Sequence, residues 1–416
     1  MTPVATSVAR SAFDVQQVRA DFPILAERVH GKPLVYLDSA NTSQKPRPVL
    51  EAMDAYYRHA NANIHRATHL LSERATALYE GARVKAAAFV NAADPRAIVL
   101  TKGTTDGINL VAQSYGRSTL RAGDEILISW LEHHSNIVPW QLLCEQTGAV
   151  LRVVPIDASG DVEMDAYAAL LSPRTRIVAM GHVSNALGTI NPVRQIIEQA
   201  HARGAVVLVD GAQAAPHLVI DVQALDCDFY VFSSHKMYGP TGVGVLYGRP
   251  SLLEAMPPYQ GGGDMIQSVT FEKTTYNAVP YKFEAGTPNI GGVVGFGAAI
   301  DYLAGIDREA ALAHEDAVLE YATAQVRGIA GARIIGEARR KTGVLSFVLE
   351  GVHPHDAGTI LDQEGVAVRT GQHCAQPVMD CYRITSTIRA SLGLYNTRDE
   401  IDALTRALDK VRTVFA

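Results

Sequence analysis

Short apolar runs rich in β-branched residues alternate with longer amphipathic stretches through the middle of the chain. The runs are 97–100, 125–129, 150–156, 176–180, 206–210 and 228–232. Strands that alternate with helical patterns are typical of a mainly parallel sheet with helices on both faces. The pattern therefore predicts an α/β fold.

Two helices are predicted before the first of these runs. One begins near Pro46 and carries Leu50, Met53 and Tyr57 at helical spacing. Such apolar stripes usually face the core, so we expect these three side chains to be buried. Residues 72–91 predict a second, longer amphipathic helix.

The pattern loosens after residue 248, and the end of the chain predicts a second, smaller unit. Residues 271–280 predict surface loops, and residues 343–369 predict a strand, a helix and another strand. We predict a large domain over residues 33–302 and a small α+β domain formed by residues 1–32 and 303–416.

Composition excludes several classes of function. The chain has 416 residues and 47% hydrophobic content, enough for a large core, and no apolar run reaches the length of a membrane span. Its 37 basic and 43 acidic residues give a net charge of −6 without a basic run, which argues against nucleic-acid binding. The cysteines are too scattered for a disulfide framework and no Cys/His spacing predicts a metal site, so we expect a reducing cytoplasm.

One lysine lies where an apolar strand opens into a turn rich in Gly and Pro. Burial there lowers the pKa of a lysine and frees its amine, so Lys236 is a candidate to form an imine with an aldehyde cofactor. Asp210 ends another strand, and a buried carboxylate needs a cation, such as the pyridinium nitrogen of pyridoxal phosphate. The alternatives are a surface lysine and a helix-capping aspartate.

Hydroxyl and imidazole side chains near the strand ends predict a phosphate site. Thr104 and Thr105 follow Gly103 at a helix start, where free N–H groups and the helix dipole attract anions. Ser233 and His235, next to Lys236, can donate to the same phosphate. Ordinary helix capping is the alternative for the two threonines.

Three further strand-end residues are candidates for the cofactor ring. His133 follows the strand 125–129 and can stack on the pyridine ring and exchange protons. Asn185 and Gln213 are placed to contact the phenolic oxygen of the cofactor, and Asn185 alternatively contacts the substrate. A lone histidine is otherwise most often a packed residue.

Two residues near the end of the chain add the chemistry of a substrate. Cys374 lies in a loop just after a strand and is flanked by Arg369 and His373. Positive neighbours lower the pKa of a thiol and so favour a reactive thiolate. Arg389 follows an apolar run and can bind a carboxylate through two parallel hydrogen bonds. A buried, inert cysteine and a surface ion pair are the alternatives.

From about Phe22 to its C-terminus the chain resembles the class II (Suf-type) cysteine desulfurases, which are pyridoxal-phosphate enzymes of the aspartate-aminotransferase fold. Eight motifs in one order carry this resemblance: 63–66 (NIHR), 103–109 (GTTDGIN), 132–140 (EHHSNIVPW), 210–213 (DGAQ), 233–244 (SSHKMYGPTGVG), 283–288 (FEAGTP), 369–377 (RTGQHCAQP) and 389–391 (RAS). Each motif alone is weak, and the ordered set is highly specific.

The resemblance implies a role for each candidate. Lys236 carries the internal aldimine, Asp210 pairs with the pyridine nitrogen and His133 stacks on the ring. Residues that hold the phosphate are Thr104, Thr105, Ser233 and His235, joined by Thr287 of the neighbouring subunit in a homodimer. Arg389 binds the substrate carboxylate with Asn185 and Arg369 close by, and Cys374 takes the sulfur.

The activity implied is removal of sulfur from L-cysteine, with L-alanine and a persulfide on Cys374 as products. The sulfur then passes to an acceptor protein for iron–sulfur cluster assembly. His353-Pro354-His355-Asp356 resembles the segment of relatives that deliver sulfur to a zinc-bearing acceptor. Selenocysteine is a second possible substrate.

Two positions depart from the pattern of the family. Gln372 stands where many relatives have His, and Ala67 stands where a Gly is usual. Competing interpretations of the whole sequence are another enzyme on the same scaffold, such as an aminotransferase, a racemase or a kynureninase-like lyase, and a non-catalytic scaffold. The first group has no use for Cys374, and decay at Lys236, Asp210 or Cys374 is expected of the second.

Overall fold

The computed structural model describes residues 13–415. Its strands, numbered in chain order, are β1 (Arg28–Val29), β2 (Lys32–Pro33), β3 (Val35–Tyr36), β4 (Ile98–Thr101), β5 (Glu125–Ser129), β6 (Val150–Val154), β7 (Thr175–Gly181), β8 (Val206–Asp210), β9 (Phe229–Ser233), β10 (Gly244–Gly248), β11 (Ile266–Val269), β12 (Thr274–Tyr276), β13 (Ala332–Ile335), β14 (Val344–Leu349), β15 (Val366–Ala367), β16 (Arg369–Gly371) and β17 (Thr387–Ser391).

Helices connect these strands and cover the sheets. In chain order they are α1 (Val15–Ala20), α2 (Arg47–His59), α3 (Leu70–Phe89), α4 (Thr104–Val111), α5 (Arg117–Thr119), α6 (Val138–Thr147), α7 (Met164–Leu170), α8 (Val193–His201), α9 (Ala214–His217), α10 (Val222–Leu225), α11 (Pro250–Ala255), α12 (Ile290–Ala304), α13 (Arg308–Arg327), α14 (Pro354–Gln363), α15 (Gln376–Cys381) and α16 (Arg398–Phe415).

A seven-stranded sheet in the order β4-β10-β9-β8-β7-β5-β6 forms the centre of the fold. Neighbours from β9 to β6 are parallel, and only β10 runs against the other strands. The predicted α/β fold with a mainly parallel sheet is therefore confirmed. Because β5, β7, β8 and β9 point the same way, their carboxyl ends meet at one edge of the sheet.

A smaller four-stranded antiparallel sheet in the order β13-β14-β17-β16 has its own hydrophobic core with α13, α14 and α16. Strand β3 pairs with β15, and Val35 and Leu37 pack in this second core. The start of the predicted large domain thus packs with the second sheet. Residues 1–12 of the predicted small domain lie outside the described residues, and the domain division stays a prediction.

The sequence pattern predicted most elements but misjudged one helix face and one loop. Helix α3 confirms the predicted long helix, whereas Leu50 and Tyr57 on α2 are 46% and 58% exposed. The buried residues of α2 are instead Val49 and Tyr56, which precede Leu50 and Tyr57 by one position. The predicted loop at 271–280 includes strand β12, which pairs with β11 in a hairpin.

Among the described helices, none alone has the length and apolarity of a bilayer span. Only α12 and α13 taken together meet that criterion, and the two are bent by 86° at the break between them.

Candidate active site

A cavity of about 240 Å³ opens at the carboxyl ends of the parallel strands. Its wall includes residues that follow β5, β7, β8 and β9, together with residues of β16 and β17 from the smaller sheet. All the predicted site residues except Thr287 line it: Thr104, Thr105, His133, Asn185, Asp210, Gln213, Ser233, His235, Lys236, Arg369, Cys374 and Arg389. Residues far apart in sequence therefore share one cavity.

Lys236 ends a 3₁₀ turn that directly follows β9. The main-chain carbonyl of the preceding residue accepts hydrogen bonds from the Ser43 N–H at 2.9 Å and from Lys45 Nζ at 3.1 Å, which fix this turn. Burial is the main cause that lowers the pKa of Lys236 to about 8; the charge of Asp210 opposes this shift, and the charge of Arg389 adds to it. The amine is thus available in its neutral form near pH 8.

Asp210 is the last residue of β8 and is buried. Its Oδ1 accepts a hydrogen bond from the Ala212 N–H at 2.9 Å. Burial raises the pKa of Asp210, while that hydrogen bond and the charge of Lys236 lower it. The next residue must be glycine, because a Cβ at Gly211 would lie 2.1 Å from the Tyr230 ring.

The start of α4 forms the end of the cavity that suits a phosphate. Thr104 donates its N–H to Ser233 Oγ at 2.8 Å, and the two hydroxyls are 2.7 Å apart. Gly244 on β10 lets the backbone approach, since a Cβ there would lie 2.4 Å from Gly103 Cα. Free N–H groups and the helix dipole make this a favourable place for an anion.

His133 projects into the cavity from the segment after β5. Its Nδ1 accepts the Ser135 N–H at 3.0 Å, so the ring proton lies on Nε2. Burial lowers the pKa of His133 to about 3, and the charge of Lys236 adds to the effect. The imidazole is therefore neutral and offers an N–H to whatever occupies the cavity.

Two arginines from the small sheet face the cavity side by side. Arg369 on β16 and Arg389 on β17 are register partners. Arg389 is only 1% exposed; it donates to the Asn185 carbonyl at 2.8 Å and to Asp38 Oδ1 at 3.2 Å. Burial lowers the pKa of Arg389 to about 10, against the opposing effect of Asp38. Two cations in one wall suit a carboxylate ligand.

The loop between β16 and α15 places Cys374 on the cavity wall. His373 and Cys374 both have a φ of 54°, a left-handed conformation that is uncommon outside glycine. Arg369 Nη2 lies 3.6 Å from the sulfur of Cys374, and Asn185 Nδ2 donates to the His373 carbonyl at 2.6 Å. The loop thus holds a half-buried thiol beside a positive charge.

Glu132 also lines the cavity, although the sequence analysis gave it no role. It is buried, and its carboxylate accepts hydrogen bonds from Ser129 Oγ, from Asn136 Nδ2 at 2.6 Å and from the Gly181 N–H at 2.9 Å. Burial raises the pKa of Glu132 to about 7 despite these hydrogen bonds. An acidic residue in a buried strand-end motif was the available signal.

Thr287 lies outside this cavity, in an exposed turn before α12. Its neighbours Gly286 and Pro288 line a second cavity of about 350 Å³. A contact of Thr287 with the phosphate therefore stays a prediction that requires another copy of the chain. The two departing residues, Gln372 and Ala67, are exposed.

Comparison with known proteins agrees with this site. The aminotransferase class-V family profile matches residues 35–404. A cysteine desulfurase of Synechococcus elongatus is 54% identical to this chain; the match covers 98% of this chain and 65% of that protein. A cysteine desulfurase of Enterobacter is 51% identical, and the match covers 96% of this chain and 98% of that protein. The crystal structure of the desulfurase CsdA of Escherichia coli has a TM-score of 0.91 and 44% identity, with 97% of this chain and 100% of that chain covered.

The chain belongs to the cysteine desulfurases of the class-V aminotransferase family. It is an enzyme with the aspartate-aminotransferase-like fold of that family. The expected alternative of a non-catalytic scaffold is not supported, because Lys236, Asp210 and Cys374 line one cavity.

The cavity of the desulfurase fits pyridoxal phosphate. Asn185 Oδ1, Gln213 Oε1 and Arg389 Nε are buried and have no hydrogen-bond partner among the described residues. Buried polar atoms are normally paired, so they indicate a polar ligand. A structure of the cystine C–S lyase C-DES contains glycine covalently linked to the PLP cofactor; its TM-score is 0.82 at 25% identity, with 94% of this chain and 99% of that chain covered. Pyridoxal phosphate is the cofactor of this enzyme.

Proposed function

We propose that this desulfurase removes the sulfur of L-cysteine and leaves L-alanine and a persulfide on Cys374. One observation carries the proposal: the amine of Lys236 and the thiol of Cys374 lie on the wall of the same cavity. An aminotransferase or a racemase needs the lysine but has no use for the thiol. A desulfurase needs both.

Substrate binding falls to the two arginines of the small sheet. Arg389 already has guanidinium hydrogen bonds to the Asn185 carbonyl and to Asp38 Oδ1, which fix its plane, and its Nε is unpaired. A substrate carboxylate supplies the missing acceptor and offsets part of the positive charge of the two guanidinium groups. We assign Arg389 as the main carboxylate ligand and Arg369 and Asn185 as its neighbours.

Proton transfer belongs to Lys236 and His133. When bound beside Asp210, the cofactor supplies an electron sink for the electron pair left after loss of the Cα proton of the substrate. Lys236 takes that proton, because burial keeps a fraction of its amine neutral near pH 8. His133, with its proton on Nε2, is placed to return a proton to the carbon that loses sulfur.

Sulfur transfer belongs to Cys374. Its thiolate, with Arg369 Nη2 3.6 Å away, attacks the substrate sulfur. An S–S bond forms, the Cβ–S bond breaks, and the carbon keeps the electron pair and takes up a proton, so that alanine leaves. The persulfide then needs a second thiol outside the site to remove the sulfur.

We assign the phosphate of the cofactor to Thr104, Thr105, Ser233 and His235. The first three surround the start of α4, where backbone N–H groups are free. Gln213 donates its Nε2 to the Ala40 carbonyl at 2.6 Å, and its Oε1, like Asn185 Oδ1, is buried without a hydrogen-bond partner among the described residues. We assign these two amides to the phenolic oxygen of the cofactor, to which each would donate its NH2 group after a half-turn of the amide.

The enzyme is proposed to act as a homodimer in which Thr287 reaches the phosphate of the other site. Large apolar side chains are exposed on α2 and α3, including Tyr57, Leu70 and Leu78, and Phe271 is fully exposed at the tip of the β11–β12 hairpin. Exposed apolar side chains of this size are typical of protein interfaces. A partner covering them would bring a second copy beside the first.

The partner that takes the sulfur is proposed to be an acceptor protein of the Suf type that feeds iron–sulfur cluster assembly. His353 and His355 lie exposed at the start of α14, where they are free to contact a zinc-bearing acceptor. The cysteines of the chain are free thiols, which fits the cytoplasm. Selenocysteine fits the same site, since it differs from cysteine only in the transferred atom.

A cysteine replacement with a matched control tests the proposal. Cys374→Ser keeps the cofactor absorbance and lowers alanine formation from L-cysteine by about a hundredfold or more, because the atom that accepts sulfur is lost. Cys381→Ser, at another half-buried thiol seven residues later, keeps both properties. Undiminished alanine formation by Cys374→Ser would instead favour a lyase that needs no thiol.

A further inference from the structure

The loop that carries Cys374 is tied to the segment after β5 by one residue. The His134 N–H donates to the Cys374 carbonyl at 2.7 Å. The ring of the same histidine accepts the Gln376 N–H on Nε2 at 3.1 Å. His134 therefore holds two points of the chain that follow the Cα of Cys374: the carbonyl of Cys374 itself and the N–H two residues later.

These hydrogen bonds act on a strained piece of backbone. Cys374 and His373 both have a φ of 54°, and such a conformation persists only where its surroundings hold it. The other tie from the large sheet is Asn185 Nδ2, which donates to the His373 carbonyl at 2.6 Å. Asn185 thus holds the chain just before Cys374, and His134 holds it just after.

The orientation of the His134 ring is fixed by what it accepts. Because Nε2 takes the Gln376 N–H, that nitrogen carries no proton, and the ring proton lies on Nδ1. The neighbouring His133 has the opposite arrangement, with Nδ1 accepting and Nε2 protonated. Consecutive histidines thus do different work: His133 faces the cavity, and His134 faces the loop.

We propose that His134 is a positioning residue that holds the Cys374 loop closed over the active-site cavity. The inference rests on the proposed function, in which Cys374 accepts the sulfur. While both hydrogen bonds of His134 are formed, the thiol stays on the cavity wall beside Arg369. Without the Nε2 acceptor, the loop opens more often, the thiol is more accessible from solvent, and it meets the substrate sulfur less often.

Three variants of the full-length enzyme with bound cofactor test this role. His134→Leu removes the acceptor; His134→Gln places an amide oxygen at about the reach of Nε2; and His59→Leu removes an exposed histidine at the end of α2 as a control. Each is treated with iodoacetamide, and the alkylation rate of each cysteine is read by peptide mass spectrometry. Buried Cys227 reports unfolding of the whole protein.

The expected result is a local change at Cys374. Alkylation of Cys374 becomes about three- to tenfold faster in His134→Leu, the effect of one lost hydrogen bond on an opening equilibrium. It stays near the original rate in His134→Gln and His59→Leu, while Cys227 stays unreactive. In turnover with L-cysteine, kcat falls in His134→Leu and KM is unchanged, because the carboxylate ligands are untouched.

Two results would overturn the proposal: equal alkylation rates of Cys374 in His134→Leu and His59→Leu, or a rate in His134→Gln as high as in His134→Leu. If Cys227 reacts in His134→Leu, His134→Asn replaces that variant in the comparison. The asparagine side chain is too short for its amide oxygen to reach the Gln376 N–H, so we expect the same increase in the alkylation rate of Cys374. The alkylation needs no turnover, so a failure of the proposed sulfur transfer leaves this test intact.

Discussion

At the scale of single residues, the state of Lys236 controls when the cofactor can be taken up. Burial lowers the pKa of its amine to about 8, well below that of an exposed lysine. We expect the rate of cofactor uptake by the apo-protein to rise with pH up to about 8 and to level off above it, since only the neutral amine reacts. Stopped-flow absorbance at a series of pH values measures this. A rate that keeps rising toward pH 10 would show an ordinary exposed lysine.

Arg389 offers a second test at this scale. Arg389→Lys keeps the charge but loses the planar pair of donors, and it leaves Asp38 and the Asn185 carbonyl with a poorer partner. We expect KM for L-cysteine to rise about tenfold or more, the value of a hydrogen bond to a charged group. Arg339→Lys, at an exposed position, is the control. Equal KM values in the two variants would show that Arg389 does not bind the substrate carboxylate.

Most of the candidate residues could be predicted because they lie at strand ends. Asp210 ends β8, and Lys236 and His133 lie in the turns that follow β9 and β5, so parallel strands bring all three to one edge. Glu132 was missed because a carboxylate beside two histidines gives no sign of its partners. The hydrogen bonds of that carboxylate come from β5 itself, from the following turn and from β7, and only the folded chain shows them.

At the scale of elements, close packing of β4 and β10 sets the phosphate site. A Cβ at Gly244 would lie 2.4 Å from Gly103 Cα, so Gly244→Ala must push the loop before α4 away. We expect the free energy of unfolding to fall by about 1–3 kcal/mol, the usual cost of overpacking, and cofactor affinity to fall with it. Thermal unfolding and cofactor titration measure the two effects.

Gly261→Ala is the matched control, because a Cβ there meets nothing within 4 Å. Equal stability and affinity in Gly244→Ala and Gly261→Ala would show that the approach of β10 to Gly103 is not what shapes the site. Neither glycine has a left-handed φ, so the comparison isolates the available space.

Element prediction failed where a pattern fits two neighbouring faces. Along α2 the apolar spacing of Leu50 and Tyr57 is also that of Val49 and Tyr56, and the second pair is the buried one. Spacing gives the period of a helix but not which of two adjacent stripes meets the core. Strand β12 was missed because its side chains do not alternate between buried and exposed positions, so the sequence shows no alternation of apolar and polar residues there.

At the scale of the whole molecule, the proposed contact of Thr287 with the phosphate of another subunit can be tested by mixing two impaired variants. Lys236→Ala and Thr287→Val are each expected to be weakly active or inactive alone. After subunit exchange, half of the dimers are mixed and carry one site without either change, so we expect about a quarter of the original activity to return. Alanine formation by the mixture measures this.

No recovery in a mixture shown to exchange subunits would mean that Thr287 acts within its own subunit or not at all. Light scattering first establishes that the chain forms a dimer, since a homodimer has about twice the chain mass of 44.7 kDa. Contacts between chains were beyond prediction from the pattern, because exposed apolar residues such as those on α2 and α3 are typical of an interface but do not identify its partner.

The most direct test of the central claim is mass spectrometry of the Cys374 peptide after a single turnover of L-cysteine without reductant. We expect a mass increase of one sulfur atom on Cys374, with one alanine formed per modified site. Alanine formed while Cys374 stays unmodified, or sulfur found on Cys144, Cys227 or Cys381 instead, would contradict it.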